Sequence, residues 1–321
     1  MKALMIREPG RAEVVDVDRP EIGPDEVLVA SRAVGVCHSD FELLDGTYII
    51  PVEYPMIPGH EWSGEVVEVG REVTSVAPGD RVVGECVIGT DHFGFSISGA
   101  AAEYFKVRPE WLHKLPAELS HAQGALVEPF TVAYYATVAA GGVDASDTVA
   151  ILGAGPIGLC CLAACTGKGA SAIVVDPVAE RREIATRMGA IAAVEPGPDL
   201  AEKIAAVAGA APQVVLEASG APAAMASALD IAGFEARVVF VGIDTGGSAE
   251  TKLGQIQSKS LTARGIIGSP NVWPAALRFL AGTGIDLAPV VTARFPLAEA
   301  TEALDAAQQT DRNVKVQMVN E

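Results

Sequence analysis

The stretch "VAILGAGPIGLCCLAA", residues 149–164, decides how the second half of the chain is read. Four apolar residues run straight into Gly153, Gly155 and Gly158, spaced as G-x-G-x-x-G, and an uncharged segment follows. A strand that turns into a helix through such a loop leaves the helix N-terminus open. Its free N–H groups and positive dipole end suit a pyrophosphate. Pro156 falls at the first helical position, where its missing N–H costs nothing. The uncharged run from Val149 to Thr166 is as long as a membrane span. Glycines and a proline break its first half, so it reads as a buried strand followed by a buried helix. Cys160, Cys161 and Cys165 lie on that helix, where adjacent residues point apart; they read as small apolar side chains rather than one ligand set.

Working outward, the next candidate strand ends at Asp176. A carboxylate there can accept hydrogen bonds from both hydroxyls of an adenosine ribose and repels a 2′-phosphate, which favours NAD over NADP. Strand patterns at 149–152, 172–176, 192–194, 213–217, 237–241 and 261–267 alternate with helical patterns at 180–188, 200–208, 222–231 and 273–282. That alternation predicts a doubly wound α/β domain with a six-stranded parallel sheet.

The first 120 or so residues have a different texture. Short valine-rich runs such as "EVLVASRAVGV" and "GEVVEVG" are punctuated by Pro24-Asp25 and Pro78-Gly79-Asp80, the pattern of a β-rich, barrel-like unit. The chain of 321 residues, half of them hydrophobic, is long enough for two domains with sizeable cores. A net charge of −18 argues against nucleic acid or an anionic membrane surface as partner, since both demand clustered Lys and Arg. "MKALMIREPG" is too charged and too polar for a signal peptide. Five cysteines with no paired framework suit a reducing, cytoplasmic compartment.

Chemistry-bearing residues gather in the first half. "GHEWSGEVVEVG", residues 59–70, sets His60 and Glu61 between glycines ahead of ordinary strand alternation. "GVCHSD" supplies Cys37, Ser39 and Asp40, and "ALVEPF" supplies Glu128. Cysteine, histidine and carboxylate are the ligand types of a catalytic zinc, which takes about three protein ligands and keeps one open position. By spacing alone the set is only suggestive, because a lone cysteine on a strand is more often core.

The segment 59–70 fits G-H-E-x-x-G-x5-G, the zinc signature of medium-chain alcohol and polyol dehydrogenases. "GVCHSD", "PGDRVV", "VEPFTVAYYA", "LGAGPIG" and "TARFPLAEA" also resemble segments of that family, in family order along essentially the whole chain. The resemblance implies a GroES-like catalytic domain of residues 1–128 and 288–321 around a Rossmann NAD-binding domain of residues 129–287. It implies one catalytic zinc on Cys37 and His60, with Glu61 beside it and exchangeable with water, and Glu128 as a further carboxylate ligand. Glu128, where many alcohol dehydrogenases have cysteine, and "SPNVWPAAL" are similar to the sorbitol dehydrogenase branch. It further implies that Gly153, Gly155, Pro156, Ile157 and Gly158 receive the NAD pyrophosphate, with Arg181 near the adenine side of Asp176. On the same resemblance, zinc would acidify the substrate hydroxyl, Ser39 would take the proton, Asp40 would orient His60, and hydride would pass to NAD.

The expected reaction is therefore oxidation of a secondary alcohol on a polyol, sugar or cyclitol, with a small-molecule alcohol and a second copy of the chain (dimer or tetramer) as partners. An amino-alcohol dehydrogenase, a ketone reductase and a non-catalytic NAD-binding relative are the alternatives. Two departures stand out. The segment after "GDRV" holds only Cys86 where relatives carry a four-cysteine lobe, so no structural zinc is expected. Glu42 stands where some relatives carry a relay histidine. His92 and Phe93 are expected to line the substrate cleft, and His113 and His121 to be surface residues.

Overall fold

The computed structural model describes residues 1–320, and the chain divides into two units. One comprises residues 1–128, 273–282 and the chain from 291 onward; the other comprises 129–272 and 283–290. Residues 273–282, placed by the sequence reading in the nucleotide domain, group with the first unit. There the Trp273 ring stacks on His113, with centroids 5.5 Å apart.

The second unit is built on a six-stranded parallel sheet. Its order is Ala192–Val194, Ser171–Val175, Thr148–Leu152, Val214–Glu217, Arg237–Phe240, Thr262–Gly265. The first strand in sequence lies inside the sheet, and the order reverses beside it, which opens a crevice at the strands' carboxyl ends. Ile151 sits level with Val174 on one side and Leu216 on the other, all three buried, as strands covered on both faces require. The last strand is shorter than its sequence pattern, and all four residues are exposed because it forms the sheet's edge.

Helix Pro156–Gly167 leaves the central strand with Gly155 as N-cap and Pro156 in the first turn. A Cβ at Gly158 would lie 1.9 Å from the Gly153 carbonyl oxygen, so only glycine lets the helix pack this close to its strand. Cys160, Cys161 and Cys165 are completely buried on it, as small apolar helix residues. Among the described residues, no helix is long and apolar enough to cross a membrane.

The first unit centres on a seven-stranded sheet. Val27–Gly35 lies between Lys315–Val319 and Glu61–Val69, antiparallel to both. Trp62, Phe93, Phe105 and Trp111 interlock over it, each 3% exposed or less. Phe93 is thus a core residue and lines no cleft: it follows a tight hairpin, Val87–Ile88 with Asp91–His92, that turns its ring inward onto Trp62.

Candidate active site

Sheet register assembles the site. Gly35, the last residue of its strand, pairs with Glu61, the first of the neighbouring strand. Cys37, just past one strand, and His60, just before the other, are brought together by that pairing. Cys37 is not on a strand, as the sequence pattern suggested, but N-caps helix His38–Asp45. The helix starts there because the Cys37 N–H donates to Asp40 Oδ2 at 2.8 Å, a capping interaction that fixes the turn.

The other oxygen of Asp40 lies 3.6 Å from His60 Nδ1, both side chains being about 95% buried. His60 is held by charge: burial works against its imidazolium, yet Cys37 and Asp40 outweigh it and raise its pKa well above the usual value. The cluster therefore calls for positive charge among its anions. Sγ of Cys37 and single ligand atoms of His60 and Glu61 lie within 4.8 Å of one another. Thiolate, imidazole and carboxylate at that spacing fit three protein ligands of a catalytic zinc. Ser39 Oγ lies 3.9 Å from Cys37 Sγ in the first helical turn.

Glu61 has a partner that the motif reading missed. Lys315 Nζ lies 2.7 Å from each Glu61 oxygen and donates to the Val36 carbonyl at 2.9 Å, with Lys315 only 3% exposed. Burial pulls the Lys315 pKa down, but Glu61 and Cys37 pull harder, and it is pushed up to about 12. The available signal was Lys315 and Gln317 alternating with valine and methionine in one strand, two polar side chains on a face turned inward. Gly35 lets the carboxylate lie against the strand, since a Cβ there would be 2.2 Å from Glu61 Oε2.

Glu128, read as a fourth ligand, stands outside the close trio; its Oε1 is 3.8 Å from Cys86 Sγ. Burial, with Glu61 adding to it, pushes its pKa up to about 7 against the pull of His60 and Lys315. Burial likewise pushes the Cys86 thiol up.

Two histidines expected at the surface are engaged instead. His113 Nε2 is 2.9 Å from Glu85 Oε1, with its ring on Trp273. His121 Nδ1 is 3.3 Å from Ser63 Oγ, and Arg81 donates to its Nε2 at 3.5 Å. Turn signals mark where a chain reverses, not what packs over it.

In the second unit, the glycine loop and Asp176 meet. Asp176 accepts from the Ala154 N–H at 2.7 Å and the Val178 N–H at 2.8 Å, and Arg181 Nη1 lies 3.9 Å from it. A carboxylate has about four acceptor positions, so two remain for a ribose. Around a Cβ built on Gly155, Arg181 Nη1 at 3.8 Å is the sole neighbour within 4 Å, which leaves room for a pyrophosphate against the loop.

Residues 23–117 match the alcohol dehydrogenase GroES-like domain, and residues 156–282 match the zinc-binding dehydrogenase domain. The chain belongs to the zinc-dependent medium-chain alcohol and polyol dehydrogenases. This dehydrogenase is 32% identical to human sorbitol dehydrogenase over 94% of its length and 91% of the relative's. It superposes on 2R,3R-butanediol dehydrogenase from Bacillus subtilis with a TM-score of 0.92 and 31% identity, covering 100% of this chain and 99% of that one. A zinc-binding dehydrogenase from Sinorhizobium meliloti 1021, solved with NADP, gives 0.91 and 30%, covering 99% of each. The dehydrogenase is an enzyme of alcohol or polyol oxidation.

Proposed function

We propose that the enzyme oxidises a secondary alcohol of a polyol, sugar or cyclitol to the ketone, using NAD and a single catalytic zinc. The observation that carries this reading is the Cys37, His60 and Glu61 trio with Asp40 behind the imidazole. When bound, zinc supplies Lewis-acid polarisation of the substrate hydroxyl, and NAD supplies the hydride acceptor. Cys37 and His60 hold the metal, and Asp40 fixes the ring orientation. Glu61 completes the set or yields its place, according to how firmly Lys315 keeps it. Glu128 adds a further carboxylate outside the close trio. Ser39 Oγ takes the proton from the substrate hydroxyl and passes it outward. Asp176 receives the ribose, Arg181 flanks it, and the loop from Gly153 to Gly158, Pro156 and Ile157 included, receives the pyrophosphate.

Homo-oligomerisation belongs to the same reading. All four residues of the edge strand Thr262–Gly265 are exposed, and Ile243, Leu253 and Ile267 are each more than 60% exposed, a combination that invites a second copy. Sedimentation measures it.

The deciding experiment is NAD⁺ reduction against a panel of polyols, cyclitols and amino alcohols, with and without a zinc chelator, repeated with NADP⁺. Chelator-sensitive turnover of one polyol class with a higher kcat/KM for NAD is expected. A preference for NADP would remove the role given to Asp176. Silence from enzyme that carries zinc and binds NAD would turn the reading to a non-catalytic relative.

A further inference from the structure

The hairpin of Val87–Ile88 with Asp91–His92 meets a candidate metal ligand at each of its ends. At its exit, Gly94 has φ +82, in the left-handed region that favours glycine. A Cβ there would lie 3.2 Å from the His60 nitrogen and 3.1 Å from the Gly59 carbonyl carbon, so the turn lies against the backbone that carries His60. Across that turn Phe93 packs into the core and Phe95 onto the imidazole, with ring centroids 4.7 Å apart. Phe95 is 2% exposed and is backed by Tyr48, whose ring lies 4.1 Å away with planes within 7°. The imidazole thus has Asp40 at Nδ1 and a fixed ring at its face.

At the entry, the Cys86 thiol donates to Glu128 Oε1 at 3.8 Å. The Cys86 carbonyl accepts from the Phe93 N–H at 2.8 Å, which ties entry to exit. One short segment therefore touches two candidate ligands, and it treats them differently. His60 stands inside the close trio, whereas Glu128 stands outside it, on the thiol. A thiol is a weak donor, so it restrains the carboxylate without locking it.

We propose that the hairpin sets how many protein ligands the metal takes: Phe95 holds His60 in and Cys86 holds Glu128 back, which keeps one coordination position open for the alcohol. This rests on the dehydrogenase reading above, since a catalytic metal needs an open position and a structural one does not. Phe95 and Cys86 lie outside the metal-binding motif and act through the ligands, as positioning residues.

Zinc affinity, read by competition with a chromogenic chelator, tests the two halves with opposite signs. Phe95→Leu loosens the imidazole and should weaken zinc about tenfold, the lower end of the loss when a ligand's support is removed. Cys86→Ala releases Glu128 to the metal and should tighten zinc about threefold, the worth of a weak hydrogen bond. Cys86→Ser, whose hydroxyl is the stronger donor, should bind zinc no more tightly than the wild type. In cobalt-substituted protein, Cys86→Ala should lose visible absorption, because an added carboxylate raises the coordination number. Its turnover should fall although the metal is held more firmly, since the open position is filled. A hairpin with a merely structural role would weaken zinc in both variants. That outcome, or a failure of Cys86→Ala to tighten zinc or of Phe95→Leu to weaken it, would overturn the proposal while leaving the dehydrogenase intact. Tightening that survives Glu128→Gln in the Cys86→Ala background would overturn it as well. A wild type that takes up no zinc would overturn the dehydrogenase reading and this proposal with it.

Discussion

Lys315 clamps Glu61 through both carboxylate oxygens, at 2.7 Å each, inside a sheet where both side chains are 3% exposed or less. The pair sits one residue from His60, so a structural ion pair and a candidate metal ligand share one carboxylate. Lys315→Met removes the counter-charge and leaves a buried carboxylate alone, which costs about 3–5 kcal/mol. A bound zinc can supply the missing charge. Zinc should therefore raise the melting temperature of Lys315→Met more than that of the wild type, in scans of apo and loaded protein. Equal shifts would show that Glu61 does not respond to the metal.

Asp40 has one oxygen on the Cys37 N–H and the other facing His60, so it braces two ligands at once. Asp40→Ala should weaken zinc affinity roughly 10–100-fold, the usual cost of losing a ligand's support. Competition with a chromogenic chelator measures it. An unchanged affinity would mean that packing against Phe95 suffices to hold the imidazole.

Ser39→Ala should leave zinc and NAD binding as they are and lower kcat by about 10²–10⁴-fold, the range of a general acid–base step. Steady-state kinetics with metal analysis of the same sample decide it. A full kcat would move the proton path elsewhere, with Glu42 next in line.

His121 gives a pH dependence of stability. Burial first, then the charges of Arg81 and Arg32, depress its pKa to about 4 from an ordinary value of 6.5. Its neutral form is kept in the fold, whereas the unfolded chain protonates it. Its contribution is thus fully present above about pH 6.5 and is lost as pH falls toward 4. His121→Gln should flatten denaturant midpoints across that window, and a wild-type curve already flat there would contradict the assignment.

Legible along the chain were the doubly wound sheet, the glycine loop with its proline, and Cys37, His60, Glu61 and Asp176 as candidate site residues. These are local matters: strand periodicity, a turn that needs glycine, and ligand types placed at chain breaks. The helix begun at Cys37 was hidden, because its cap is one hydrogen bond from Asp40, and a short apolar pattern before it reads equally well as strand. Phe93 and Phe95 were indistinguishable in sequence, two residues apart just past a hairpin; packing alone turned the first into the core and the second toward His60.

Long-range packing alone set Lys315, 254 residues away, against Glu61. It also set Glu128 apart from the close trio, Trp273 over His113, and Phe95 against His60. The physical reason is common to all four. Residue type and periodicity fix which side chains face inward, but the partner a buried charge or ring finds depends on strand order and on the register of Gly35 opposite Glu61. Those are set by the packing of segments distant in the chain, and no local pattern records them.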